Sequence, residues 1–349
     1  MPNALLTRAI DAVSSGRDLS ADDASAVLAE IMAGEASDVE IAGFLVGLRA
    51  KGETVDEVAG LARTMRALAA PVDAGREDLL DTAGTGGGRS TFNVSTTAAL
   101  IAAGAGCAVA KHGNRSATGL SGSADLLEAL GARIDLDPEA VARCIREAGF
   151  GFMFAPAHHQ ATRFVVPVRK ELAVRTIFNF LGPLTNPAGA TRQVIGVAEP
   201  AYLETVAGAL ASLGVARALV VSSEDGLDEM STAGRTHVVE VTGGDAAAPA
   251  AITRYTVAPE DVGLATGRLE DLAGGTPQDN AATTRSILAG DRGPRRDLAV
   301  LNAGAAIYAS GSADSLATGV RAAEAALDDG AAAAALERFV TLTGELAPA

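Results

Sequence analysis

Leu79-Leu80-Asp81-Thr82-Ala83-Gly84-Thr85-Gly86-Gly87-Gly88-Arg89-Ser90-Thr91-Phe92-Asn93-Val94-Ser95-Thr96-Thr97 begins as an apolar strand, breaks into four glycines within five positions, and resumes as a helix start. Glycine lets the backbone take positive φ and approach a ligand closely, so that successive N–H groups face an anion. The helix opening behind the loop adds its partial positive charge. The spacing is neither the G-x-G-x-x-G dinucleotide fingerprint nor a P-loop, which ends in Gly-Lys-Ser/Thr. Strand, glycine loop and helix in this order predict a phosphate-binding corner of an α/β fold.

The same rhythm continues toward the C-terminus. Apolar runs at 107–110, 150–154, 194–197, 218–221 and 238–241 alternate with helical patterns at 96–104, 124–130, 138–148 and 202–213. That alternation predicts a mostly parallel central sheet. Upstream, Leu5, Leu6, Ile10 and Val13 make one apolar stripe, and Val27, Leu28 and Ile31 the next. Ser37-Asp38-Val39-Glu40 and Thr54-Val55-Asp56-Glu57 read as capping boxes, with Gly34 and Gly52 as helix ends. The expected class is α/β: a small N-terminal helical bundle subdomain plus a larger α/β subdomain. The bundle spans 1–72 and the α/β subdomain spans 73–167 and 191–349, while residues 168–190, from a basic, Pro-rich stretch, pack on the bundle. The Ala-rich tail from Asn280 reads as helical, residues 243–251 as a low-complexity surface turn, and no internal repeat is visible.

Three further segments carry chemistry. Lys111-His112-Gly113-Asn114-Arg115-Ser116 follows an apolar strand and leads to Ser121-Gly122-Ser123-Ala124-Asp125 at another helix start. Only three lysines (Lys51, Lys111, Lys170) stand among 28 basic residues, so a lysine at a strand-to-loop corner suits a point charge on phosphate. A second segment holds His158-His159, Pro167-Val168-Arg169-Lys170, Arg175-Thr176-Ile177-Phe178-Asn179 and Leu181-Gly182-Pro183-Leu184-Thr185-Asn186-Pro187. No carboxylate or third histidine follows the His-His pair at zinc spacing, so His112, His158 and His159 read as hydrogen-bonding groups for a polar ligand; His237 reads as structural. The last is Ser222-Ser223-Glu224-Asp225-Gly226-Leu227-Asp228-Glu229-Met230, whose four carboxylates repel one another unless solvent or a cation intervenes. Magnesium takes one or two carboxylates together with ligand oxygens.

The formal net charge of −15 argues against a nucleic-acid partner, whose affinity comes from clustered Lys and Arg. Cys107 and Cys144 lack metal-ligand or CxxC spacing and read as buried thiols of a reducing compartment. The longest uncharged stretch, 91–110, is too polar to span a membrane, and the N-terminus lacks a signal-peptide pattern. A cytoplasmic location is expected.

Taken in order over nearly the full length, Gly34-Glu35-Ala36, Arg49-Ala50-Lys51-Gly52-Glu53, GTGG, TFNVST, KHGNRS, SGSAD, PVRKEL, RTIFN, LGPLTNP and the Asp-Glu pair resemble the anthranilate phosphoribosyltransferase family. Its fold is shared with pyrimidine nucleoside phosphorylases. The resemblance implies transfer of a phosphoribosyl group from phosphoribosyl diphosphate to the amine of anthranilate, in tryptophan biosynthesis, by a magnesium-dependent homodimer joined through the helical subdomain. By position, the donor residues are Gly84, Thr85, Gly86, Gly87, Thr91, Asn93, Ser95, Thr96, Lys111 and Ser123. The anthranilate residues are Gly84, His112, Asn114, His159, Arg169, Gly182 and Pro183, with Asn114 also near the sugar phosphate or diphosphate. The magnesium residues are Ser95, Asp228 and Glu229, and the resemblance assigns catalysis to Lys111, His112 and Arg169.

The sequence departs from the family pattern at three places. Gly88-Arg89 stands where an Asp-Gly pair is usual, Ala173 where glycine is usual, and His158 where an aromatic residue is common. The alternatives are a paralogous phosphoribosyltransferase with another aromatic acceptor, a nucleoside phosphorylase, and a non-catalytic DNA-associated paralogue. A phosphorylase carries a Lys-His-Ser run absent here, and the charge and the Asp-Glu pair disfavour the DNA-associated reading.

Overall fold

A computed structural model describes residues 2–116, 119–243 and 249–347; most of the turn expected at 243–251 lies outside them. Four helices open the chain: α1 (Ala4–Ser14), α2 (Ala21–Ala33), α3 (Asp38–Lys51) and α4 (Val55–Ala67). Their ends follow from local chemistry. The Ser37 and Thr54 side chains accept from the backbone of Glu40 and Glu57, which reach back in reciprocal capping boxes, and α2 stops at Gly34 in the left-handed region.

Then come β1 (Leu80–Gly84), α5 (Val94–Gly104), β2 (Val109–Gly113), α6 (Ser123–Ala129), α7 (Pro138–Ala148) and β3 (Phe150–Phe154). Short α8 (Ala155–His158), α9 (Val166–Leu172) and α10 (Phe178–Leu184) follow, before β4 (Arg192–Gly196), α11 (Leu203–Ser212), β5 (Arg217–Ser223), β6 (Thr236–Thr242) and β7 (Ala251–Val257). The Ala-rich tail is helical throughout: α12 (Pro277–Leu288), α13 (Pro294–Ser310), α14 (Leu316–Asp328) and α15 (Ala331–Leu346).

One seven-stranded sheet runs β3-β2-β1-β4-β5-β6-β7, parallel from β3 to β5 and antiparallel at β6 and β7. The order reverses direction at β1, between β2 and β4. Connections leave to opposite faces there and open a crevice beyond the carboxyl ends of the strands. The sheet is therefore mostly parallel, as its rhythm predicts, with an added antiparallel edge. Strand β7 escapes the sequence reading because Ala-Ile-Thr-Arg-Tyr-Thr-Val is largely exposed at the sheet edge and has no apolar run.

The apolar interior forms two clusters. One packs α5, α7, α13, α14 and α15 on β1–β3 through residues such as Leu100, Val109, Phe150, Leu301 and Phe339. The other joins α1–α4 to Val168, Ile177, Phe180, Leu181 and Leu184, and runs on into Ile195, Val206, Val220 and Val239. Where α3 meets the α/β body, Arg49 donates to the Tyr202 hydroxyl and lies 3.2 Å from Glu199, and Tyr202 in turn donates to Glu53 at 2.9 Å. No helix among the described residues is long and apolar enough to cross a membrane.

Ala173 ends α9 at φ 54°, the only non-glycine residue at positive φ among those described. The left-handed region costs an L-residue roughly 1–2 kcal/mol, which glycine avoids. That is the physical reason a glycine is usual at this position.

Candidate active site

The glycine loop leaves β1 at the switch point and is held by the strands beside it. Thr85 is turned inward: its N–H donates to the Gly196 carbonyl at 2.8 Å, and its hydroxyl accepts from Ala198 N–H at 3.2 Å. Gly86 and Gly87 take positive φ, at 65° and 84°. Behind the loop, α5 starts without a side-chain cap, since Asn93 sends its amide elsewhere. Asn93 Nδ2 donates to the Ser121 carbonyl at 3.0 Å, and Oδ1 accepts from Ser121 Oγ and Asn280 Nδ2, each at 2.9 Å. Asn93 thus braces three segments; the Val94 N–H turns back to the Phe92 carbonyl, and the Ser95 and Thr96 N–H groups of the first turn are left to an anion. The Thr96 hydroxyl is buried without a partner among the described residues, and Thr91, partly buried, lies against the close-packed backbone of Gly274.

Lys111, on β2, is 1% exposed, and its ammonium points along the sheet toward β1. It donates to the Thr82 carbonyl and lies 3.3 Å from Ser95 Oγ. Burial pushes its pKa down to about 8, opposed by the charges of Asp81 and Glu229. The buried Asp81 carboxyl accepts from His112 N–H at 3.1 Å and Asn186 Nδ2 at 2.7 Å, and burial raises its pKa against the pull of Lys111. Asn114 is exposed at the mouth, and its carbonyl accepts from Ser123 Oγ at 3.3 Å.

The acidic loop after β5 folds back onto the glycine loop. Asp228 Oδ2 accepts from Gly86 N–H at 2.7 Å, and Gly226 carbonyl accepts from Arg89 N–H at 3.0 Å. Only glycines allow this approach: a Cβ at Gly84 would stand 2.5 Å from Asp228 Oδ2, and one at Gly196 1.5 Å from the Asp228 carbonyl. Ser95, Asp228 and Glu229 line one small cavity with Thr82, Gly196 and Asn302. Glu229 Oε2 is enclosed without a partner among the described residues, and desolvation, then Asp228, pushes the Glu229 carboxyl well above its usual range. Of the four acids in this loop, Asp225 is held by the Ser223 and Ser231 hydroxyls, Glu224 is exposed, and Asp228 and Glu229 face the cavity. The Ser95 hydroxyl and two carboxylates, one of them with the enclosed oxygen Glu229 Oε2, are an oxygen donor set that fits magnesium.

Of the acceptor candidates, His112, His159 and Gly182 come together, while Arg169 stands against Phe178. His112 and His159 rings lie 5.0 Å apart. His112 Nδ1 donates to the Gly182 carbonyl at 3.2 Å, leaving Nε2 buried with no partner among the described residues; His159 Nε2 donates to the Thr185 carbonyl at 3.1 Å. Burial drives their pKa values down to about 3 and about 4, so both imidazoles are neutral at pH 7. Pro183 carbonyl is taken by Gln193 Nε2 at 3.0 Å. His158 is buried with Nδ1 on the Ala70 carbonyl at 3.0 Å, so this ring fixes the exit from the bundle instead of binding a ligand. His237, read as structural, is exposed beside Glu224 at 3.5 Å. Arg169, half-buried on α9, stands 5.4 Å over the Phe178 ring with no hydrogen-bonding or ionic partner among the described residues.

Two family models match the chain in sequence: the glycosyl transferase family helical bundle domain over residues 7–69, and the glycosyl transferase family a/b domain over residues 76–333. An anthranilate phosphoribosyltransferase of Moorella thermoacetica is 51% identical over 337 residues, covering 96% of this chain and 98% of its own. The chain belongs to the anthranilate phosphoribosyltransferase family. Among solved structures, the anthranilate phosphoribosyltransferase of Thermus thermophilus matches with a TM-score of 0.89 and 48% identity over 96% of this chain and 99% of its own. That of Saccharomyces cerevisiae, in complex with phosphoribosyl diphosphate and magnesium, matches with a TM-score of 0.88 and 27% identity over 99% of each chain.

Within this member of the anthranilate phosphoribosyltransferase family, sequence reasoning missed Asp81, Asn186 and Asn302. Asp81 had a signal, a carboxylate in an apolar strand facing a strand that carries a lone lysine. Asn302 had none. It lies mid-helix in an Ala-rich run, yet its side chain takes both the N–H and the carbonyl of Met230, the residue after Glu229, at 3.0 and 2.9 Å.

Proposed function

We propose that this chain transfers the phosphoribosyl group of 5-phosphoribosyl 1-diphosphate to the amine of anthranilate, releasing diphosphate, as a step of tryptophan biosynthesis. The observation that carries the reading is the convergence on one small volume of the loops after β1 and β5, the start of α5 and Lys111 of β2. Gly86 bonds Asp228, and Lys111 touches Ser95 in the cavity that Glu229 enters.

Breaking the C1–diphosphate bond places negative charge on the leaving group and positive charge on the ribose. No covalent nucleophile is needed, and charge stabilisation is the largest demand. The Gly84–Gly87 loop, whose Thr85 and Gly86 amides are held by Gly196 and Asp228, cradles the phosphates through the Gly87 amide, and the uncapped start of α5, with Ser95, Thr96 and Thr91, receives them. Asn93 and Ser123 hold the loops that frame them, and Lys111 sets its ammonium beneath the leaving group. Ser95, Asp228 and Glu229 would hold magnesium, which when bound neutralises charge on the departing diphosphate.

Anthranilate is an aniline, already neutral at pH 7, so a strong general base is dispensable. Arg169 takes its carboxylate as a bidentate pair. Neutral His112 and His159 line its ring with Gly182, Pro183 and Asn114, and the free Nε2 of His112 offers a hydrogen-bonding atom there. Oriented in this way, the amine faces C1 as diphosphate departs.

The chain division proposed is 1–72 with 168–190 against 73–167 with 191–349. A homodimer through the helical subdomain goes with it, since α3 leaves Val39 81% and Val46 45% exposed. A cytoplasmic location suits the two free, buried cysteines.

The test is a fluorescence assay of the arylamine product. Signal is expected only with donor, magnesium and anthranilate together; turnover of another arylamine in its place would move the reading to a paralogue. In the same assay Arg169→Ala is expected to raise KM for anthranilate about 10- to 100-fold, the range of a lost charged hydrogen-bonded pair, with donor KM nearly unchanged. Equal loss for both substrates would remove Arg169 from the acceptor site.

A further inference from the structure

Arg175 lies on the segment between α9 and α10, outside the residues assigned above, yet it reaches the glycine loop. Its Nη1 donates to the Gly86 carbonyl at 2.7 Å, and a Cβ at Gly87 would stand 1.9 Å from that nitrogen. Its Nε is 3.2 Å from Glu199 Oε1, an ion pair without hydrogen-bond alignment, and Glu199 Oε2 is 3.2 Å from Arg49 of α3. Arg175 Nη2 is enclosed with no partner among the described residues.

Gly86 is therefore gripped from both sides, its N–H by Asp228 and its carbonyl by Arg175. An enclosed guanidinium N–H without an acceptor is costly, so a missing acceptor belongs beside it. Nη1 lies on the glycine loop itself, at the Gly86 carbonyl and against Gly87, and a loop of this kind, with glycines at positive φ, recruits an anion rich in oxygen acceptors.

We propose that Arg175 is a further donor-binding residue. Its Nη2 takes an oxygen of the diphosphate while Nη1 keeps the Gly86 carbonyl, and Glu199 holds the guanidinium over the loop. This rests on the phosphoribosyltransferase reading and extends it. Six residues earlier the same segment carries Arg169, so donor and acceptor cations are borne by one stretch of chain joined through the left-handed Ala173.

The test is calorimetric titration of inorganic diphosphate, with magnesium, into the full-length wild type and into Arg175→Ala, Arg175→Lys and Glu199→Gln. Arg175→Ala is expected to weaken diphosphate binding about 10- to 100-fold. Arg175→Lys should recover part of that loss, because it keeps the charge without the planar fork, and Glu199→Gln should lose less than Arg175→Ala. In turnover, KM for the donor should rise in Arg175→Ala while KM for anthranilate moves little. Undiminished diphosphate binding by a folded Arg175→Ala overturns the proposal and leaves the function standing. So does an equal loss for both substrates with no recovery in Arg175→Lys, which marks a merely structural residue. A wild type that binds no diphosphate overturns both the proposal and the function on which it rests.

Discussion

Lys111→Met is expected to lower turnover about 100- to 1,000-fold, the range for removing one preorganised group that faces developing negative charge. Methionine fills nearly the same volume, so the enclosed strand position stays packed. The loss has two physical sources. The ammonium sits beside Ser95 beneath the glycine loop, where charge accumulates on the leaving group, and its positive charge opposes the upward push on the Glu229 carboxyl. Without it, Asp81 and Glu229 face a low-dielectric pocket with no positive neighbour, and both carboxyls are pushed further up. The check is steady-state kinetics at saturating anthranilate, with circular dichroism to establish that the variant is folded. Turnover within threefold of wild type would detach Lys111 from the chemistry.

Glu229→Gln is expected to cut turnover at cellular magnesium by about 100-fold or more, because the amide removes a charged ligand from a site with only two carboxylates. Added magnesium or manganese should restore part of the rate. The effect on folding has the opposite sign. In the ligand-free chain Glu229 is a desolvated acid with an unpartnered oxygen and a second carboxylate beside it, so the neutral amide should leave the protein as stable as before or more so. Melting without metal, against a manganese titration followed by electron paramagnetic resonance, separates the two effects. A variant that binds manganese like the wild type would remove Glu229 from the metal site.

Much of this was legible in the sequence because it depends on local chemistry. The capping boxes at Ser37 and Thr54, the glycine loop after β1 and the alternating apolar runs each announce themselves within about ten residues. The switch-point position of the loop follows once the strand order is known. What could not be read was where side chains turn. Asn93 reads as a phosphate ligand but spends its amide on Ser121 and Asn280, 187 residues away. His158 and His159 are adjacent, yet one secures the bundle exit at Ala70 and the other the loop at Thr185. Arg175 belongs to a quoted motif, but its reach to Gly86, 89 residues distant, is a property of the fold alone. Strand β7 was hidden for a different reason, since an exposed edge strand has no apolar face to display.

Crystals soaked with magnesium and diphosphate test the shared charge sink most directly. Diphosphate is expected against the glycine loop, on the Gly87 amide, and on the start of α5, with the Lys111 ammonium in contact and metal density on Asp228 or Glu229. Diphosphate seated away from the glycine loop, or metal bound without either carboxylate, would contradict the account.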